Sequence, residues 1–229
     1  QNTDSSGTLT FLNGTSVTDP DNQLETTQLN DSSGGTASCG SGDCVGVTPV
    51  AASPNVPPFQ SSTGSTDVST NFPFDRSFSL GEDGNSDYDQ VTIGFQGDLG
   101  DTGAFSTYRI RELDFDFQSA WTVQGGTDYY IGNWNTGSNM DITVSGTGTA
   151  RIFVRDPVTF RNNVNVNTGG TPEKLLIVGY DDITLATGNG GGVDALLYGA
   201  GDVVTNNQQE VNGAIAAAGD ITLGSSGST

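Results

Sequence analysis

The chain has 229 residues, of which 27 are Asp or Glu and 7 are Lys or Arg, and its formal net charge is −20 at pH 7. Such a surface repels nucleic acid and anionic membranes, because binding to phosphate needs clustered Lys and Arg. The chain has no His, which excludes Ser–His and Cys–His nucleophile pairs. It also lacks a run of about 18 apolar residues, so we expect no direct insertion into a membrane.

Turn and strand residues dominate the composition. The chain has 33 Gly and 33% hydrophobic residues, and Ser, Thr, Asn and Asp are frequent. These residues favour turns and strands over helices. This low fraction of apolar residues fits a fold with a narrow core that repeats along an axis better than a fold with one thick core. Together with the length, it predicts a single all-β domain.

Residues 1–70 form a polar region, and the run from 30 to 70 is rich in Ser, Gly, Thr and Pro. We interpret 1–70 as an irregular cap segment and 71–229 as the folded β-region of the same domain. The chain begins with Gln1 rather than Met. That start fits removal of a signal peptide, and it fits a trimmed chain equally well.

Two cysteines, Cys39 and Cys44, flank a Gly- and Ser-rich loop within the cap segment. We expect a disulfide here, because a structural zinc site usually needs four Cys or His ligands and this chain has two. Disulfides persist in oxidising compartments. The pair therefore favours a secreted, extracellular or cell-surface protein.

An acidic segment follows the cap. Asp83, Asn85, Asp87 and Asp89 place oxygen-bearing side chains at alternate positions, as in the first half of an EF-hand loop. Tyr88 stands where that loop needs Gly, and its final Glu is missing, so a complete EF-hand is not expected. The segment predicts either a looser Ca²⁺ site or a solvated acidic turn.

Four large aromatic residues lie close together in a Gly- and Asn-rich stretch: Trp121, Tyr129, Tyr130 and Trp134. Exposed rings in such a stretch can stack on sugars, whereas buried rings fill a core or cover an edge. Both interpretations stay open. The first predicts a carbohydrate-binding surface.

A repeated phrase appears beyond residue 120. The order Asp–apolar–Thr–apolar occurs at 141–144, 182–185 and 220–223, and looser copies begin at Asp156 and Asp202. Consecutive Asp residues of the five copies are 15, 26, 20 and 18 positions apart. This averages about 20, close to one turn of a three-sided β-helix. We expect the apolar residues of each copy to stack inside and Asp and Thr to face outward.

The repeat predicts a right-handed parallel β-helix with an irregular N-terminal cap. The alternative is a β-sandwich, which would use hairpin turns such as the Asn–Gly pairs at Asn13, Asn189 and Asn212. A sandwich does not explain why the same phrase recurs.

Several phrases in a fixed order resemble the β-helical domains of MshQ-type bacterial surface proteins, which are linked to biogenesis of the mannose-sensitive haemagglutinin pilus. The phrases lie at 38–44, 57–59, 148–156, 175–183, 195–198, 211–217 and 219–223. The resemblance implies an extracellular β-helical module and brings no catalytic residues to this chain. The larger members look like multidomain proteins with further C-terminal regions, and we expect those regions to be absent here.

The nearest approach to a catalytic pair is Asp181–Asp182, as in polysaccharide-cleaving enzymes that use two carboxylates. One of the two belongs to the repeat, so we expect no enzyme.

A solenoid has two open ends that can template further copies. We therefore expect a structural or adhesive surface protein that forms homo-oligomers or filaments and has a glycan or pilus component as a further partner. The alternative is a monomeric carbohydrate- or Ca²⁺-dependent binding module.

Overall fold

A computed structural model describes residues 56–70, 76–186, 191–206 and 210–224, and the backbone of five strands closer to the N-terminus. Every strand pairing is parallel, and the strands stack as a β-solenoid, as the repeat predicts. Apart from one 3-10 turn at Pro172–Lys174, the described residues contain no helix. None of them therefore lies in a helix that is long and apolar enough to cross a membrane.

The strands fall into two groups, which we name the N-terminal module (β1–β5) and the body (β6–β22). The module comprises β1 Asn2–Thr3, β2 Thr8–Phe11, β3 Ser16–Asp19, β4 Gln28–Asp31 and β5 Thr36–Cys39. The first half of the body comprises β6 Asp67–Ser69, β7 Ser77–Leu80, β8 Asp87–Ile93, β9 Asp98–Asp101, β10 Thr107–Phe115, β11 Ala120–Gln124, β12 Asp128–Asn135 and β13 Asp141–Ser145. The second half comprises β14 Ala150–Val154, β15 Val158–Phe160, β16 Asn165–Val166, β17 Leu175–Gly179, β18 Ile183–Leu185, β19 Gly192–Gly199, β20 Val203–Thr205, β21 Glu210–Ala217 and β22 Ile221–Leu223.

Three stacks of strands form the faces of the body. Face 1 contains β7, β9, β11, β13 and β16, and face 2 contains β14, β17 and the first parts of β8, β10 and β12. Face 3 contains β6, β15, β18, β20, β22 and the last parts of β8, β10 and β12, because β6 pairs with the end of β8 and β15 pairs with the end of β12. The long strands β19 and β21 span faces 1 and 2. Register partners in adjacent turns are separated by 18 residues (Val204 and Thr222) to 27 residues (Val166 and Val193).

The core is a set of columns, because inward residues of one turn stack on those of the next at about 4.8 Å. On face 1 one column runs through Phe78, Leu99, Trp121, Ile142 and Val166, all buried. Ile183 and Ile221 occupy one column of face 3 and are fully buried. Their inward orientation confirms the prediction from the repeat.

One corner carries a ladder of amide side chains. Gln96, Gln118, Asn139 and Asn163 have φ between 53° and 59° and occupy equivalent positions in four successive turns. The Gln96 side chain donates to Gln118 Oε1 at 3.2 Å, and that of Asn163 donates to Asn139 Oδ1 at 2.8 Å. Asn tolerates this left-handed conformation better than most residues. The ladder thus turns the chain and ties adjacent turns together.

The copies of the repeat occupy two faces instead of one. The copy at Asp141 lies in β13 on face 1, whereas those at Asp182, Asp202 and Asp220 precede strands of face 3. Val204 pairs with Thr184 and Thr222 in the outward column, and Thr205 lies in the inward column, 5% exposed. The expected outward Thr column is therefore interrupted at this turn.

The recurrent Asp has a structural role at the face 3 corner. The Asp202 backbone N–H donates to Asp182 Oδ1 at 2.7 Å, and the Asp220 N–H donates to Asp202 Oδ1 at 2.8 Å. Each carboxylate therefore satisfies a backbone donor of the next turn, as an N-cap residue does in a helix. This explains the Asp residues that precede β18 and β20.

The N-terminal module extends the solenoid instead of forming an irregular cap. β1 pairs with β21, β2 pairs with β22 and with β4, and β3 pairs with β5, all in parallel. In space, the strands that follow β21 and β22 therefore come from the first 39 residues. The expectation of irregular structure is wrong for these strands, because their partners lie at the other end of the chain.

Candidate functional site

Three of the aromatic residues considered for sugar binding are core side chains. Trp121 and Tyr129 are 0% exposed and Trp134 is 3% exposed. The Trp121 ring meets Trp134 edge-on with centroids 5.4 Å apart, and it meets Tyr129 at 5.3 Å. The prediction that these rings form an exposed sugar-stacking surface is therefore wrong, because they form a buried cluster. Strand alternation points Trp121 and Tyr129 inward. Trp134 also points inward because the alternation shifts by one position within β12, where Trp134 pairs with the buried Leu113.

Tyr130 points outward from face 2 but is also buried, with 2% exposure. Its ring stacks on Phe153 at 4.6 Å, and Val178 continues this outward column. Val56 and Phe59 pack against the cluster from outside. Tyr130 is thus unavailable to a sugar for a different reason, since another segment of the chain covers it.

The covering segment, which we name the strap, comprises residues 56–66. Phe59 meets Tyr180 edge-on at 5.4 Å, and Gln60 Oε1 accepts a hydrogen bond from Arg109 Nε at 3.1 Å. Farther along, Ser62 Oγ donates to Asp87 Oδ1 at 2.6 Å. The strap therefore runs along the outside of face 2, from the later turns of the body to the first.

The four residues considered for Ca²⁺ all have hydrogen-bond or ion-pair partners, and Asp83 and Asn85 bond to each other. Asp83 accepts hydrogen bonds from the Asn85 backbone and side chain, and Asp89 forms an ion pair with Arg111. Asp87 accepts from the strap, including the Thr63 N–H at 2.9 Å. Across the described parts of the chain, no three His, Cys, Asp or Glu side chains form a group that could hold a metal. Ca²⁺ binding stays a prediction.

These partners set the pKa values of the carboxyl groups. Burial alone would raise the pKa of Asp87, but hydrogen bonds from Ser62 and from the backbone of Thr63 and Gly64 outweigh it and lower that pKa. The hydrogen bond and charge of Arg111 lower the pKa of Asp89. Both groups are therefore held as carboxylates in the folded protein.

A cluster of tyrosine hydroxyls lies at the corner between faces 1 and 2. Tyr108 donates to Asp101 Oδ1 at 2.9 Å, Tyr129 donates to the same carboxylate, and Tyr88 donates to Asp83 at 2.8 Å. Burial, and then the acidic partner, raises the pKa of Tyr108 to about 12 and moves the pKa of Tyr88 and Tyr129 still higher. These hydroxyl and carboxylate groups bond to one another within the fold.

The tyrosine cluster predicts loss of stability in alkali. A folded-state pKa raised above the ordinary phenol value of 10.0 means that stability is fully present below pH 10 and falls as the pH rises toward about 12. We expect the near-ultraviolet absorbance of tyrosinate to appear together with loss of the β-sheet circular dichroism signal. Tyr108→Phe, which cannot ionise, should move both transitions to higher pH. If all 6 tyrosines ionise near pH 10 while the fold stays intact, the buried tyrosine cluster is contradicted.

The C-terminal end of the body is the other candidate for function. Ile221 is 0% exposed and Leu223 is 6% exposed, although both lie in the last strand of the body. Their register partners in the next turn are Leu9 and Phe11 of the N-terminal module. An apolar end of this kind needs a cover, and here strands from the start of the chain are stacked on it.

Sequence reasoning interpreted residues 1–70 as an irregular cap segment and missed the pairing of β2 with β22. The signal was present, because Leu9-Thr10-Phe11 repeats the apolar–Thr–apolar order of Ile221-Thr222-Leu223. The missing initial Asp hid the match. The predicted disulfide is not tested by this structure, because Cys44 and the side chain of Cys39 lie outside the described residues.

The stacked parallel strands and the continuous core define this chain as a parallel β-helix protein. Residues 108–229 match the model of a family described as a domain of unknown function, DUF7305, and the chain belongs to that family. No curated protein and no solved structure matches the chain.

Proposed function

We propose that this chain is a non-enzymatic extracellular protein with a structural or adhesive role, which assembles with further copies into filaments. The observation that carries the proposal is the parallel pairing of β2 on β22, with Leu9 beside Ile221 and Thr10 beside Thr222. This edge of the solenoid accepts strands that do not follow it in the chain. An edge that pairs in this way is suited to joining copies.

The interior supports a structural role. One apolar cluster extends without interruption from Phe78 to Leu223, and its largest side chains are fully buried. The polar groups that approach it, such as Asp101 and Asp194, accept hydrogen bonds from other parts of the chain. The described side chains thus form one continuous core that holds the turns of the solenoid together. This agrees with a protein that acts through its surface and its two ends.

The surface of the protein is strongly acidic, and the extracellular setting rests on the resemblance and on the predicted disulfide. The net charge of −20 keeps copies soluble and repels polyanions. In the exposed ion pairs, four arginines (Arg109, Arg111, Arg151 and Arg155) contact Asp or Glu. Association with a pilus rests on the resemblance to MshQ-type domains and forms part of the proposal. Binding of a glycan gains no support from the buried tryptophans.

Negative-stain electron microscopy and light scattering of the purified protein test this function. We expect regular filaments and a scattering mass that rises with protein concentration. A uniform monomer of 23.6 kDa at every concentration would refute assembly. The same samples with a chelator of divalent cations test the Ca²⁺ prediction, because filaments that disperse in chelator have Ca²⁺ at their joints.

A further inference from the structure

The N-terminal module and the last strands of the body are two ends of one chain that meet in space. Leu9 and Ile221 are register partners, and Asn2 pairs with Ala216 in the same way. This contact is made by backbone pairing and by stacking of one turn on another. Every copy of the chain offers the same module and the same end.

The end of the body requires a cover. Ile215, Ala217, Ile221 and Leu223 are at most 6% exposed, and they belong to the last two strands of the body. Without the next turn these apolar side chains and the edge of β22 would face water. The turn that covers them is the N-terminal module, whichever molecule supplies it.

The path of the chain allows the cover to come from another molecule. The strap enters at Val56, beside the outward cluster of Tyr130 and Phe153, and continues along the outside of face 2. The strap, the described segment that follows the module in the chain, thus lies on the outer surface of the body and not in its core. Exchange of the module between copies therefore does not require the strap to pass through the core.

We propose that the N-terminal module is an exchangeable element: β1 and β2 of one copy pair with β21 and β22 of a second copy and join the two solenoids end to end. This inference deepens the proposed function, on which it rests, by naming the joint and the partner. Exchange retains every contact of the closed monomer, so its free energy depends mainly on protein concentration and on the connection between module and body. Repeated exchange in one direction produces an open filament.

A pair of introduced cysteines distinguishes pairing within one chain from pairing between chains. Thr10 and Thr222 are register partners on parallel strands, with Cα atoms about 5 Å apart, within the range of a disulfide. We would make Thr10→Cys with Thr222→Cys in the full chain, with Cys39 and Cys44 changed to Ser. The matched control is Thr184→Cys with Val204→Cys, a register pair inside the body. Electron microscopy of the Ser background checks that it assembles as the unaltered chain does.

After oxidation, non-reducing electrophoresis should show covalent dimers and larger species for the Thr10–Thr222 pair, in a proportion that rises with protein concentration. The control pair should give a crosslinked monomer only. A Thr10–Thr222 crosslink confined to the monomer under conditions where filaments form would overturn the exchange and leave the proposed function standing. The same result without any filaments would defeat both. If the control pair crosslinks and the Thr10–Thr222 pair does not, the pairing of β2 on β22 itself is wrong, and the exchange with it.

Discussion

Trp121→Ala is expected to lower the free energy of unfolding by about 3–5 kcal/mol, the usual range for removing a large buried aromatic side chain. The indole is 0% exposed and packs edge-on against Trp134 and Tyr129. Its column neighbours, Leu99 and Ile142, are held by backbone pairing at the spacing of the turns, so they cannot close the cavity. Thermal and urea unfolding followed by circular dichroism measure the effect, at about 2–4 °C per kcal/mol for a chain of this size.

Two variants serve as controls for this substitution. Trp121→Phe retains much of the ring volume and removes an indole N–H that has no hydrogen-bond partner, so its loss should be much smaller. Phe117→Ala removes a ring that is 41% exposed and stacks on Phe95 at the surface, and it should change stability little. Unchanged stability of Trp121→Ala together with lost glycan binding would contradict burial and restore the carbohydrate-binding interpretation.

The stacking of the later turns was predictable because it depends on local alternation. In Asp182–Leu185 and Asp220–Leu223 the apolar residues are two apart, and strand geometry alone points both of them inward. The same order at Asp141 belongs to another face. A phrase of four residues indicates a strand with one buried side, but it contains no information on which face of a three-sided solenoid the strand occupies.

The positions of the aromatic residues were harder to predict. Tyr129 and Tyr130 are adjacent and point to opposite sides of face 2, yet both are buried. Tyr129 is buried by the core, whereas Tyr130 is buried by Phe59 of the strap. The contact of Phe59 with Tyr130 joins residues 71 positions apart, and periodicity within a strand reports nothing on contacts of that range.

The sequence did not predict the candidate joint between copies, because this joint also depends on contacts between residues that are far apart in the chain. Pairing of Leu9 with Ile221 joins opposite ends of the chain, and parallel pairing leaves no turn sequence that would mark it. The Ca²⁺ prediction used the opposite kind of information, local spacing alone. In the structure, Asp87 and Asp89 face the strap and Arg111 respectively, and local spacing could not foresee those partners.

The spacing of the turns makes a second strong prediction, at Gly137. A Cβ atom at this position would lie 2.1 Å from the carbonyl oxygen of Asp116 in the preceding turn and 2.8 Å from its carbonyl carbon. Both contacts are to backbone, and the Asp116 N–H is itself bonded to the Ile93 carbonyl at 2.8 Å. Relief of the clash would require two turns to separate. We therefore expect Gly137→Ala to lower the free energy of unfolding by about 3 kcal/mol, at the upper end for overpacking, as measured by urea denaturation.

Gly103→Ala is the matched control, because it adds the same methyl group where space is open. Gly103 has φ +71° and no atom within 4 Å of the added Cβ, so it should lose only the cost of a left-handed residue, about 1–2 kcal/mol. Gly137 carries no such positive φ, and its whole effect would come from contact with the neighbouring turn. Equal losses in the two variants would mean that adjacent turns can move apart at this corner.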